Sequence, residues 1–451
     1  MTAALAEKIS EAHAAVRDSL APAVVTPDQR QRALRALAAA GLPTTRDENW
    51  KYANLRSLER VHFAPSSPRP RTDIPEAALP ARIEGYARYT FVDGVFAPEL
   101  SSVVDVRGVS VTSPRSSGAH GRSASVATRM AAALRAVESG AVPAARSDDR
   151  LAWLNEVFAT DSARVDVGEG VDCPACIEVL FVATEPAQTA ASYPRLEINV
   201  GANARLGLIE RHVTALDDAN FVNAAVHVNV SAGAQVSHYR LQQAGARATW
   251  FDTLSAAVEK DARYDLYVVN LGSLSARSTF HVALVGERAE LGLHVVSLAD
   301  NLQVHDGFAL VEHIAPYSKS EQNVRGIAGG RARVAFNSKV VVREHARGTD
   351  SRQSLRGLLA GPQAEIDVRP QLEIYTDDVR CNHGATAGKL DDNMLFYLLS
   401  RGIERDMAQQ LLKWAFLEDV VARITVPELR RHIEASLAGQ MKETAAVKEL
   451  V

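Results

Sequence analysis

Cysteine is almost absent: Cys173, Cys176 and Cys381 are the only three in a chain of 451 residues. Three thiols cannot staple a secreted scaffold, and an odd count fits a reducing compartment. Lysine is also scarce, at nine of the 50 basic residues; 54 acidic residues leave a net charge of −4. Without a basic excess, the chain is not built mainly to neutralise phosphates. Long apolar runs are missing too, since no stretch reaches the ~18 residues that a membrane span needs. Glu7, Lys8 and Glu11 interrupt the start before a signal-peptide apolar segment can develop. The expectation is a soluble, cytoplasmic protein. What is present is ordinary globular composition, 47% hydrophobic and 23% charged. The length exceeds one compact core and predicts two or three domains.

The two ends read as helical. Leu5, Ile9, Ala12 and Val16 recur at helical spacing. Thr26-Pro27-Asp28-Gln29 has the form of a capping box opening a second helix, which Gly41 and Pro43 end. Phe91 to Phe96 places an Asp-Gly turn between β-prone dipeptides, the mark of a hairpin. Ser113 to Ser125, rich in Ser, Gly and Arg, predicts a flexible loop, and Asp149 to Phe158 returns to a helical pattern. Near the C-terminus, Met407, Leu411, Trp414, Leu417 and Val421 form a helical stripe. Thr425-Val426-Pro427-Glu428 predicts a capping box for a last helix carrying Leu429, Ile433 and Leu437 on one face.

Between about 163 and 376, period-two alternation takes over, as in Val226, Val228 and Val230 interleaved with His227 and Asn229. The pattern Ala, polar, apolar begins at Ala204, Ala234, Ala262, Ala289, Ala332 and Ala364, each with Gly or Asp within the three preceding residues. The intervals are 30, 28, 27, 43 and 32 residues. A β-sandwich supplies short alternating strands but gives no reason for a motif to recur at this longer interval. A β-solenoid does, because its rungs stack equivalent side chains, so the solenoid is preferred.

Cys381-Asn382-His383 is the sharpest chemical feature. On a strand, residues i and i+2 share a face, so sulfur and imidazole converge there; this is a ligand pair favoured by zinc, iron–sulfur and copper centres. Two ligands do not close a site, and spacing alone also allows an incidental Cys and His at a strand end. Cys173-Pro174-Ala175-Cys176 has redox spacing, but a strand pattern follows it rather than a helix whose dipole would lower a thiol pKa. His227, His238, His281 and His294 fall on strands and read as rim or surface residues. Gly384 to Leu390 resembles a phosphate loop but is one residue short between its glycines, and has Leu390 where Ser or Thr would hold Mg²⁺. No complete catalytic constellation is present.

Cys381 to Asp391, with Leu395-Phe396-Tyr397 and Arg401-Gly402-Ile403, closely resembles the C-terminal signature of the SufB/SufD family, in the form carried by its SufD branch. Glu48-Asn49-Trp50-Lys51-Tyr52 is similar to an N-terminal element of that branch, and the likeness spans about residues 48 to 437. Asn382 stands where Ser is common, and Cys173 and Cys176 match no family motif. The resemblance implies a right-handed parallel β-helix core flanked by N-terminal and C-terminal α-helical regions. The expected divisions are a helical region at 1–75, a connecting segment with hairpin and loop at 76–160, the β-helix at 161–385 and a helical domain at 386–451. It further implies a non-catalytic scaffold subunit of the cytoplasmic SufBCD iron–sulfur cluster assembly complex. SufB would pair through the β-helix and the SufC ATPase would dock on the C-terminal helices. Carried over, Cys381 and His383 would bind metal or a nascent cluster at the SufB interface, with nothing stably held by the isolated chain. A face made for SufB can also pair with itself in a homodimer. No nucleic acid or membrane partner is expected. Two other readings are a β-helix enzyme acting on carbohydrate, drawing on Asp252, Asp265, Glu290, Glu365 and Asp367, and a thiol-redox protein using Cys173 and Cys176.

Overall fold

The computed structural model describes residues 2–66, 74, 79–117, 148–215 and 218–441. It opens with helices α1 (Thr2–Val16) and α2 (Pro27–Ala40). The predicted capping box stands at the start of α2: Gln29 N–H donates to Thr26 Oγ1, and Thr26 N–H to Gln29 Oε1 at 2.9 Å. Helix α3 (Arg150–Phe158) completes this region. Part of the expected 113–125 loop is instead one helical turn, Pro114–Ser117. The buried Asp161 carboxylate fixes its start by accepting from Ser113 Oγ and Arg115 N–H; residues 118–125 lie outside the described residues.

The described residues form nineteen strands, most of them in the alternating stretch. The opening ones are β1 (Ala87–Val92), β2 (Val95–Phe96), β3 (Val109–Thr112), β4 (Ala163–Val167), β5 (Asp172–Ala183) and β6 (Arg195–Val200). Next come β7 (Arg205–Thr214), β8 (Phe221–Val230), β9 (Gln235–Gln243), β10 (Thr249–Val258), β11 (Arg263–Asn270), β12 (Ser275–Leu284) and β13 (Glu290–Ala299). The last are β14 (Val304–His313), β15 (Lys319–Ala328), β16 (Arg333–Val342), β17 (Thr349–Leu359), β18 (Glu365–Ile374) and β19 (Val379–Gly388). From β4 onward the chain alternates between two parallel sheets, so each even–odd pair is one turn of a β-solenoid of about eight turns. The first sheet runs β19-β17-β15-β13-β11-β9-β7-β5-β1-β2 and the second β18-β16-β14-β12-β10-β8-β6-β4-β3.

The alanine repeat has a corner geometry. Ala204, Ala234, Ala262 and Ala289 are fully buried immediately before β7, β9, β11 and β13, all in the first sheet. The residue ahead of each is left-handed, with φ of 56° at Asn203, 71° at Gly233 and 56° at Asp261, which accounts for Asn, Gly and Asp there. Ala332 and Ala364 belong to the second sheet, ahead of β16 and β18, so the 43-residue interval is a change of sheet. In the first sheet, register carries the corner on through Ser318 and Thr349, also fully buried.

Inward residues such as Leu208, Val228, Leu254 and Leu293 form one core along the solenoid. Both outer faces are covered. Phe221 and Phe251 of the second sheet pack with Leu37, Trp50, Leu154 and Phe158 of the N-terminal region. Asn155 pins that contact, donating to Pro194 O and Asn223 O at 2.9 and 2.8 Å. The first sheet is covered by helices α5 (Arg405–Val421) and α6 (Pro427–Gln440), reached through α4 (Asp392–Ser400). Leu429, Ile433 and Leu437 are fully buried, as their spacing predicts. Thr425 does not form the expected capping box: the N-cap of α6 is Val426, one residue later, and Thr425 Oγ1 pairs with Tyr239 Oη at 2.8 Å, tying the helix to the sheet.

Candidate functional site

Cys381 and His383 stand on β19, the terminal strand of the first sheet, in register with Ser351 and Gln353 of β17. Strand alternation puts both on the inward side, as their spacing predicts. Cys381 is half-buried and, with Val379, packs against the end of the solenoid core, whereas His383 is exposed. Burial pushes the Cys381 thiol up; a backbone hydrogen bond from Ser351 opposes this and the Asp350 charge adds to it. Beneath Cys381 runs a chain of short polar contacts: Ser351 to Ser320 at 2.9 Å, Ser320 to His313 Nε2 at 2.9 Å, and His313 Nδ1 to Ser318 at 2.8 Å.

Among the described residues, neither sheet has a further strand beyond β19 and β18. The last rung therefore presents two ten-residue edges and an open end of core, with Val368 and Leu372 only partly buried and Ile374 and Tyr375 exposed. Among the described residues, no cluster of three or more His, Cys, Asp or Glu is placed to hold a metal ion. Two donors do not close a metal or cluster site, so Cys381 and His383 alone would leave further positions to be filled.

Other sequence candidates fall elsewhere. Cys173 and Cys176, expected as thiols, are joined in a disulfide within the buried core. A bulge in β5 between Cys173 and Ile177 brings their Cα atoms to 5.9 Å, within bridging range. Of the four histidines expected at the rim or surface, His227 is half-buried, while His238, His281 and His294 are buried. His238 is fully buried, with Nδ1 on Tyr264 Oη and Nε2 on Glu210; His281 meets Glu312, and His294 packs against Tyr267. Rung stacking and the covering helices bury both faces of these strands. Glu210 is held well below the usual carboxylate range: Arg240, His212 and His238 outweigh the desolvation that alone would raise it. The five carboxylates considered for sugar chemistry are engaged with basic side chains: Asp252 with Arg240, Asp265 and Glu290 with Arg263, and Glu365 and Asp367 with Arg333. Gly384 and Gly388 lie in extended β19 rather than in a phosphate-cradling loop.

The Glu48 to Tyr52 element straps the N-terminal region to the second sheet. Trp50 is buried over the Arg277 guanidinium at 4.3 Å, and Glu48 pairs with Arg369 of β18 at 2.6 Å. In the C-terminal helices, Leu417 and Val421 are buried, while Met407, Leu411 and Trp414 are half-covered. Met394, Phe396 and Tyr397 of α4 are exposed at 59, 71 and 57%. Sequence reading missed the buried Ser320, Gln322, Ser351 and Gln353 beneath the site. Their signal was the repeat of Ser-x-Gln on two successive rungs, where the rung before has Leu291-x-Leu293.

The fold is a parallel solenoid with helical covers that carries a Cys-x-His pair on its terminal strand. The chain belongs to the SufB/SufD family: the model for the SUF system FeS cluster assembly SufBD core domain matches residues 181–416. The chain is 30% identical over 424 residues to the iron–sulfur cluster assembly protein SufD of Escherichia coli, covering 92% of each. It is 26% identical over 435 residues to a SufBD family protein of Synechocystis, covering 94% of this chain and 91% of that one. A SufBD family protein of Mycobacterium tuberculosis is 26% identical over 280 residues, 60% of this chain and 69% of that one.

Proposed function

We propose that the chain is a non-catalytic scaffold subunit of a cytoplasmic complex, and that its open solenoid end docks a SufB partner and shares a site for a nascent iron–sulfur cluster. Family membership sets the process as iron–sulfur cluster assembly. The observation that carries the rest is the placement of Cys381 and His383 together at the unpaired end of both sheets. Parallel edges accept a partner's strand through main-chain hydrogen bonds, and the exposed core end gives that contact an apolar centre. Thiolate and imidazole suit iron, and two donors leave positions for the partner's ligands and for sulfide. A cluster held half by each subunit loses part of its coordination when they separate, so it is cargo, passed on rather than kept. In the absence of SufB the same end serves homodimerisation.

The exposed Met394, Phe396 and Tyr397 of α4 give the C-terminal region an apolar face for the SufC ATPase, where nucleotide turnover would reside. The test is co-purification with SufB and SufC. Cys381→Ala and His383→Ala should leave the complex assembled while bound iron and sulfide fall severalfold. Full loading in the double variant overturns the ligand assignment and spares the scaffold role. Phe396→Asp should release SufC and keep SufB.

A further inference from the structure

The two inward columns that end in Cys381 and His383 change character before they reach them. In register along the first sheet, Leu291 and Leu293 give way to Ser320 and Gln322, then to Ser351 and Gln353. All four polar residues are at most 3% exposed, in positions where leucine is at home one rung earlier. Polar side chains in such a core cost stability unless they are fully bonded, and Gln353 is not. Its Nε2 donates to Ser338 O at 3.1 Å and to Ser338 Oγ at 2.8 Å. Ser338 Oγ donates in turn to Gln322 Oε1. A backbone carbonyl can only accept, so this contact fixes which end of the Gln353 amide is which. The Oε1 left over is buried and unpartnered.

The next residue in that column is His383, one parallel-strand spacing away, about 4.8 Å. We propose that Gln353 is a positioning residue for His383: its Oε1 accepts the N–H of one imidazole nitrogen, fixing the tautomer and leaving the other nitrogen's lone pair for the cargo metal. This rests on the reading of His383 as a ligand. An outer acceptor of this kind normally orients a ligating imidazole. Ser338 of the second sheet, clamped between Gln322 and Gln353 of the first, acts one step further out by holding the amide so that Oε1 stays free.

The test uses the full-length chain, without metal or partner, labelled with ¹⁵N-histidine and read by long-range ¹H–¹⁵N correlation at pH 8, the His383 signals being assigned from His383→Ala. Wild type should show one neutral tautomer at His383. Gln353→Leu, which repeats the residue of the earlier rungs, should fold with an unchanged Tm and show a mixture of both tautomers. Gln353→Glu keeps an acceptor in place and should restore the single form. If Gln353→Leu fails to fold, Ser338→Ala decides, since freeing the amide should also mix the tautomers. A single unchanged tautomer in Gln353→Leu, or in Ser338→Ala where that variant decides, overturns the proposal. Tautomer mixing in a Gln353→Leu chain whose SufB–SufC complex still loads fully upholds the positioning and overturns the ligand reading instead.

Discussion

At one end of the solenoid, two-residue β2 turns antiparallel against β1, and four-residue β3 does the same against β4. At the other end, β18 and β19 run ten residues each with no described residue paired beyond them. The first end is finished as a monomer would finish it, with short antiparallel strands that leave little free edge. Its core is closed by aromatics: Phe91 lies 5.3 Å from Phe96 and 5.5 Å from Phe181. The second end keeps long parallel edges, an unfinished core and the Cys–His pair. The difference teaches that one end is closed within the chain, while the other is left as the proposed association surface would need it.

Breaking the closed end should have the largest effect on folding. Phe91→Ala removes a ring that is 1% exposed and should cost about 3–5 kcal/mol in urea unfolding of the isolated chain. The matching change at the open end, Leu372→Ala, should cost about 1 kcal/mol or less there, because its side chain is only partly buried. Leu372→Asp sharpens the contrast, with complex formation with SufB weakened at least tenfold and the isolated chain still folded. Equal stability losses at the two ends would remove the distinction.

Acid should act on the closed rungs. Burial lowers His305 to about 4 and, together with the Arg195 charge, His227 to about 3. Both sit below the ordinary value near 6.5, so between that value and about 4 the unfolded chain takes up protons that the folded chain refuses. Stability therefore falls as pH drops through this window, by up to about 1.4 kcal/mol per pH unit for each such histidine. Urea midpoints at pH 7 and pH 5 measure the slope, and His305→Gln should flatten it by about one proton. The smallest effect is expected at α4. Asp391 caps this helix by accepting from Asn393 N–H and Met394 N–H at 2.8 and 3.2 Å. Asp391→Ala should cost about 1 kcal/mol locally, seen as faster amide exchange in α4 with β1 to β5 unchanged.

Local features were the most readable from sequence. The Thr26 capping box, the Asp93-Gly94 hairpin and the shared face of Cys381 and His383 each depend on a few neighbouring residues, and each stands in the fold. What depends on stacking was hidden. Ala289 and Ala332 carry one motif on different sheets because register links residues about 30 apart, which a local pattern cannot show. His238 looked exposed because alternation does not say which face a neighbouring rung or helix will close. Thr425 had cap spacing, but Tyr239, almost two hundred residues away, took its hydroxyl. The polar columns beneath the site were written in the sequence but had meaning only once Gln322, Gln353 and His383 were aligned rung upon rung.

The open end as the partner surface is the central claim, and hydrogen exchange tests it most directly. Amides of residues 365–374 and 379–388 should exchange readily in the isolated chain and slow by at least tenfold in the complex with SufB, while those of β2 and β3 stay unchanged. Unchanged exchange in β18 and β19, with protection appearing at β2 and β3 instead, would contradict the account.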